Sequence, residues 1–132
     1  MDTTGWRKYL GKVLSKVKCQ DLTPILLTEK EKQAIDELIE GLKNLYGENL
    51  SRVILYGSKA RGDATDDSDI DILIVLKKYE IWSEEFEKVF SIVNEICYTH
   101  ELLISYVIKS ENEFVNRNTP LLLNVRREGI IL

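Results

Sequence analysis

An apolar run that breaks at a glycine and resumes behind two closely spaced aspartates constrains this chain more than any other stretch. Val53-Ile54-Leu55-Tyr56 leads into Gly57-Ser58-Lys59-Ala60-Arg61-Gly62, and Ser68-Asp69-Ile70-Asp71-Ile72-Leu73-Ile74-Val75 follows a polar segment carrying Asp63, Asp66 and Asp67. Both apolar runs are suited to central strands buried on both faces. Side chains alternate along a strand, so Asp69 and Asp71 share one face, roughly 7 Å apart. Two carboxylates so placed repel unless a cation lies between them. Mg²⁺ commonly takes one or two protein carboxylates and completes its shell with phosphate oxygens and water. The turn offers the matching half: Gly57 lets a phosphate approach the backbone, Ser58 adds a hydroxyl, and Lys59 and Arg61 add positive charge. A phosphate cradle beside paired carboxylates is the chemistry of nucleotidyl or phosphoryl transfer.

Two other motifs are imitated and fail. Gly57-x4-Gly62 begins like a P-loop, but Asp63-Ala64 stands where Lys-Ser/Thr is needed. Asp67-x-Asp69-x-Asp71 begins like an EF-hand loop, but Ile72 occupies the place of the turn glycine and a strand follows. A solvated surface loop accounts for Asp63, Asp66 and Asp67. It accounts poorly for Asp69 and Asp71, because an unneutralised pair bordering a buried strand is costly.

Gly57-Ser58, ten intervening residues and Asp69-x-Asp71 resemble the signature of the polymerase-β-like nucleotidyltransferases. Ala60-Arg61-Gly62 and Ser68 resemble the variant found in the minimal nucleotidyltransferase group. The similarity extends from about Thr28 to the C-terminus. It implies an α/β fold, with a small mixed sheet packed by helices. It also implies two Mg²⁺ ions on Asp69 and Asp71, with ATP or another nucleoside triphosphate held by Gly57, Ser58, Arg61 and Ser68. In the family a third carboxylate on a later strand helps to activate the acceptor hydroxyl. Ser105 stands at that position here. Ser is a poor metal ligand and a weak base. Glu101, read as lying on the same strand face, is the alternative third acid, and His100 is an alternative base. Proteins of this kind resemble the antitoxin members of HEPN/MNT pairs, which transfer AMP to the HEPN partner. Two other roles stay open: a nucleotide-binding antitoxin acting by contact, and nucleotidylation of a small molecule such as an aminoglycoside. A small core cannot enclose a large acceptor alone, so a protein partner or a homo-oligomer is expected to complete the site.

The chain has 132 residues, enough for one core, with 44% hydrophobic and 30% charged residues. Its net charge of −4 provides no global basic field and argues against an obligatory nucleic-acid partner. No apolar run is long enough to span a membrane, and no signal peptide is evident, so the cytoplasm is expected. Cys19 and Cys97 form no ligand pattern and fit small apolar thiols in a reducing compartment.

Residues 1–27 are read as a helical extension and connector, and 28–132 as the nucleotidyltransferase domain. Trp6, Tyr9, Leu10, Val13, Leu14 and Val17 recur at helical spacing, with lysines elsewhere on the wheel. That stretch suits a helix packed on the domain, a partner-docking helix or a membrane-surface helix. Capping boxes at Thr28-x-x-Glu31 and Ser110-x-x-Glu113 start helices, as does Thr119-Pro120. The spacing predicts a helix over 83–97 with Trp82, Phe86, Val89, Phe90, Val93 and Ile96 as a core stripe. Strands are expected at 53–56, 69–76 and 101–108, with a short edge strand at 130–132. Arg126 and Arg127 either reach the phosphates or solvate the last helix.

Overall fold

The computed structural model describes residues 27–62 and 69–132. The expected N-terminal helix, most of the connector, the aspartates 63, 66 and 67, and Ser68 lie outside the described residues. The elements are α1 (Glu29–Tyr46), β1 (Leu50–Tyr56), α2 (Ser58–Arg61), β2 (Ile70–Leu76), α3 (Trp82–His100), β3 (Ile104–Ser110), α4 (Glu111–Asn116), α5 (Pro120–Glu128) and β4 (Ile130–Ile131). The strands form a mixed sheet in the order β3-β2-β1-β4. β1 pairs antiparallel with β2 and β4, whereas β2 and β3 run parallel, joined through α3.

Local chemistry accounts for the helix starts. Thr28 Oγ1 accepts from the Glu31 amide at 3.1 Å, and Glu31 Oε1 accepts from the Thr28 amide at 3.0 Å. Ser110 and Glu113 repeat the box at α4, and Thr119 caps α5 ahead of Pro120. Each such cap contributes about 1 kcal/mol.

The sheet is covered on both faces. Ile70, Ile72, Ile74 and Leu76 pack with Ile35, Leu38 and Leu42 of α1 and Val89, Val93 and Ile96 of α3. Leu73 and Val75 pack with Ile54 and with Phe114, Leu122 and Val125 of α4 and α5. Odd-numbered β2 residues thus face α4 and α5, and Asp71 belongs to that face by alternation.

Three sequence expectations are adjusted. First, α3 continues to His100, so β3 begins at Ile104 and not at residue 101. Glu101 ends the helix in the left-handed region, φ 53 and ψ 51, where glycine is the more common residue. Second, the α3 stripe divides. Its aliphatic members Val89, Val93 and Ile96 are buried, but Trp82 and Phe90 are 45% and 50% exposed. Third, Lys59 is buried, 5% exposed, with Nζ 2.7 Å from Glu31 Oε2. It ties the short α2 to the first turn of α1 and does not present its charge at the surface of the turn. Burial raises the Glu31 pKa, but the hydrogen bonds and charge of Lys59 and the Thr28 cap outweigh it and leave the carboxyl below its ordinary value.

Candidate active site

The Gly57 turn is built by the meeting of β1 and α2. The Gly57 carbonyl accepts from the Ala60 amide at 3.1 Å and the Arg61 amide at 3.0 Å, winding one helical turn directly off the strand. This requires φ 77 at Gly57, a conformation that disfavours any side chain. A Cβ there would also collide with Asp71 Oδ2. The carboxylate of Asp71 therefore lies directly against the bend.

Strand register assembles the rest. Tyr56 of β1 and Ser105 of β3 both pair with Asp71 across the sheet, giving the row Tyr56–Asp71–Ser105 on one face. Asp69 precedes the strand on the same side, and Ser105 Oγ donates to its Oδ2 at 3.4 Å, a long hydrogen bond. Burial pushes the Asp71 carboxyl pKa up; the negative charge of Asp69 adds to this, and Arg61 opposes it. Burial, with the Asp71 charge beside it, pushes the Tyr56 phenol up to about 12. Arg61 Nη1 is 3.0 Å from Glu128 Oε1, so the guanidinium is shared between the end of α5 and the field at Asp71.

The site therefore carries two half-buried carboxylates with a glycine bend beside them. Asp69 and Asp71 suit a hard divalent cation, because a cation would offset both the partial burial of the Asp71 carboxylate and its repulsion by Asp69. Among the described residues no cluster of three metal-ligating side chains occurs. Ser105 occupies the position where a third carboxylate would join the pair.

Glu101 is not on β3, so the pleat alternation that would group it with Ser105 does not reach it. Its carbonyl accepts instead from Lys30 Nζ at 3.4 Å, at the start of α1. His100 Nε2 sits 3.0 Å from Glu37 Oε2 of α1, the helix covering the sheet face opposite Asp71. Arg126 is buried and binds the carbonyls of Phe114, Val115 and Arg117 and the side chain of Asn118, stapling α4 to α5. The hydroxyl of Ser105 on Asp69 was not anticipated from sequence, because its partner is set by β2–β3 register.

Gly57→Ala should be among the most damaging single changes in the turn. Strain at positive φ and the contact with Asp71 should together cost about 2 kcal/mol. A thermal melt should fall accordingly, and titration with a fluorescent nucleotide should show lost binding.

A glycine bend abutting one carboxylate of a pair, on a mixed sheet covered by helices, defines a nucleotidyltransferase-type site. Residues 35–128 match the nucleotidyltransferase domain family, and the chain belongs to it. Two relatives come from Methanocaldococcus jannaschii. "Putative protein adenylyltransferase MJ0604" is 35% identical over 103 residues, covering 77% of this chain and 97% of that one. "Putative protein adenylyltransferase MJ0141" is 34% identical over 76 residues, covering 58% of this chain and 76% of that one. A crystal structure described as a putative nucleotidyltransferase from Sulfolobus solfataricus aligns with TM-score 0.49 at 23% identity, covering 80% and 86% of the two chains, a likeness too distant to build on. No helix among the described residues is long and apolar enough to cross a membrane.

Proposed function

We propose that this nucleotidyltransferase moves AMP from ATP to a hydroxyl of a protein acceptor, with Mg²⁺ held by Asp69 and Asp71. The observation that carries the reading is the Asp71 carboxylate lying against the Gly57 bend; a cation on Asp71 and a phosphate on the bend would then be neighbours. The names of the two Methanocaldococcus relatives support a protein as acceptor.

The reaction balances simply. The acceptor oxygen forms a bond to the α-phosphorus, the bond from that phosphorus to the bridging oxygen breaks, and pyrophosphate leaves. The hydroxyl proton passes to solvent. Divalent cations supply neutralisation of the attacking and leaving oxygens. Gly57 and Ser58 receive the triphosphate, and Arg61 adds positive charge there. Ser68 is assigned to the same task by its place in the motif. A HEPN-type protein is the acceptor to try first.

Ser105 favours a second reading, an antitoxin that binds nucleotide and silences its partner by contact. One experiment separates the two. The purified protein is incubated with Mg²⁺, α-labelled ATP and a co-purified HEPN-type partner. Label on the partner, lost in Asp69→Ala/Asp71→Ala, supports transfer. Full inhibition of the partner without label leaves contact alone.

A further inference from the structure

A buried ion pair stands behind the Gly57 bend. Lys59 Nζ lies 2.7 Å from Glu31 Oε2, and both residues are buried. Glu31 uses its two oxygens differently. Oε1 accepts from the Thr28 amide at 3.0 Å and closes the α1 cap, and Oε2 takes Lys59. One carboxylate thus joins the start of α1 to the single turn of helix that leaves the bend.

The helical period decides which way the side chains of that turn look. Successive residues are about 100° apart, so Ser58 and Arg61 share one side and Lys59 and Ala60 the opposite one. The contacts agree. Ala60 packs on the core that α1 covers, and Lys59 reaches α1 itself. Arg61 pairs instead with Glu128 of α5, a helix on the sheet face to which Asp71 belongs. The turn itself is held by the amides of Ala60, Arg61 and Gly62, bonded to the carbonyls of Gly57 and Ser58. So short a helix is unstable alone, because its first turn is costly to nucleate. Its shape and rotation therefore depend on what it is tied to.

We propose that Lys59 and Glu31 are positioning residues for the triphosphate: the pair locks the rotation of α2, so that Ser58 and Arg61 are presented beside Asp71 before nucleotide arrives. This rests on the reading of the Gly57 bend as the phosphate side of the site. A bend already in its bound form spends no binding energy on ordering. An unhooked bend is competent for only part of the time, and the apparent Kd rises in inverse proportion to that fraction.

Glu31→Gln tests the tie without removing the cap. Gln also closes a capping box, and with its oxygen on the Thr28 amide it turns its NH2 group toward Lys59, which can only donate. Adding Lys59→Met removes the buried ammonium left without its carboxylate. In Glu31→Gln/Lys59→Met the circular dichroism should match the parent. Amide exchange should quicken at Ala60, Arg61 and Gly62 and not along β1 or α3. With Mg²⁺ and a fluorescent ATP analogue the Kd should rise about tenfold, as for a bend competent about one tenth of the time. Glu31→Gln alone should move it in the same direction. The rise in melting temperature that Mg²⁺ gives without nucleotide, which reads Asp69 and Asp71, should stay at the parent value. A parent-like Kd in the folded variants overturns the proposal, as does a Kd that rises only in step with a weakened Mg²⁺ response, the mark of a merely structural pair. A parent that binds no nucleotide overturns the reading of the bend, and the proposal with it.

Discussion

Asp71→Asn should make the metal-free protein more stable while abolishing its transfer activity. Burial and the neighbouring Asp69 both raise the Asp71 pKa in the folded protein, and Arg61 offsets only part of this. A raised carboxyl pKa means that the folded state holds its proton more tightly than the unfolded chain. The contribution of Asp71 to stability is therefore most favourable while it is protonated. That contribution falls as pH rises from the unfolded value, 3.8, through the folded one, and the penalty persists above it. The amide removes that charge. In chelator at pH 7 the variant should melt at a higher temperature than the parent, and the gain should vanish in strong acid. Added Mg²⁺ should raise the melting temperature of the parent but not of the variant, because only a state that binds ligand is stabilised by it. Label transfer should drop by roughly 10³-fold, the order seen when one charge-stabilising group is removed. A variant that melts lower in chelator, or that keeps its Mg²⁺ response, would remove Asp71 from the proposed role.

Ser105→Asp should raise the rate of nucleotidyl transfer. Ser105 pairs in register with Asp71 and its hydroxyl reaches Asp69, so a carboxylate there would join the pair on the same face. A positioned base commonly contributes 10²–10⁴-fold, and a gain of about 10²-fold in single-turnover label transfer is expected. The residue is exposed, so the fold should tolerate the change. Three carboxylates should lower metal-free stability, and Mg²⁺ should restore it. An unchanged rate, with Mg²⁺ and nucleotide still bound, would point to a protein that acts by contact.

Much of the fold is legible in the sequence because its signals are local. The capping boxes at Thr28 and Ser110, Pro120 behind Thr119, and the Gly57 break after an apolar strand all appear where nearest-neighbour chemistry requires them. The end of α3 is not legible, because Glu101 closes the helix without a glycine, and a residue read as strand becomes a helix terminator. Lys59 looks like a phosphate-facing cation in sequence. Its burial against Glu31 depends on how α2 packs on α1, a contact across 28 residues of chain that no local pattern encodes.

The residues themselves determine the type of site: a bend that only glycine accommodates, and two acids spaced by the strand repeat. Which groups meet there is a tertiary matter. Parallel pairing of β2 with β3, with α3 packed between them in the chain, brings Ser105 beside Asp69 and Asp71, and leaves Glu101 at the start of α1. The physical reason is that strand register and helix length are settled by burial of side chains from distant segments, whereas caps, turns and face alternation follow from backbone geometry alone.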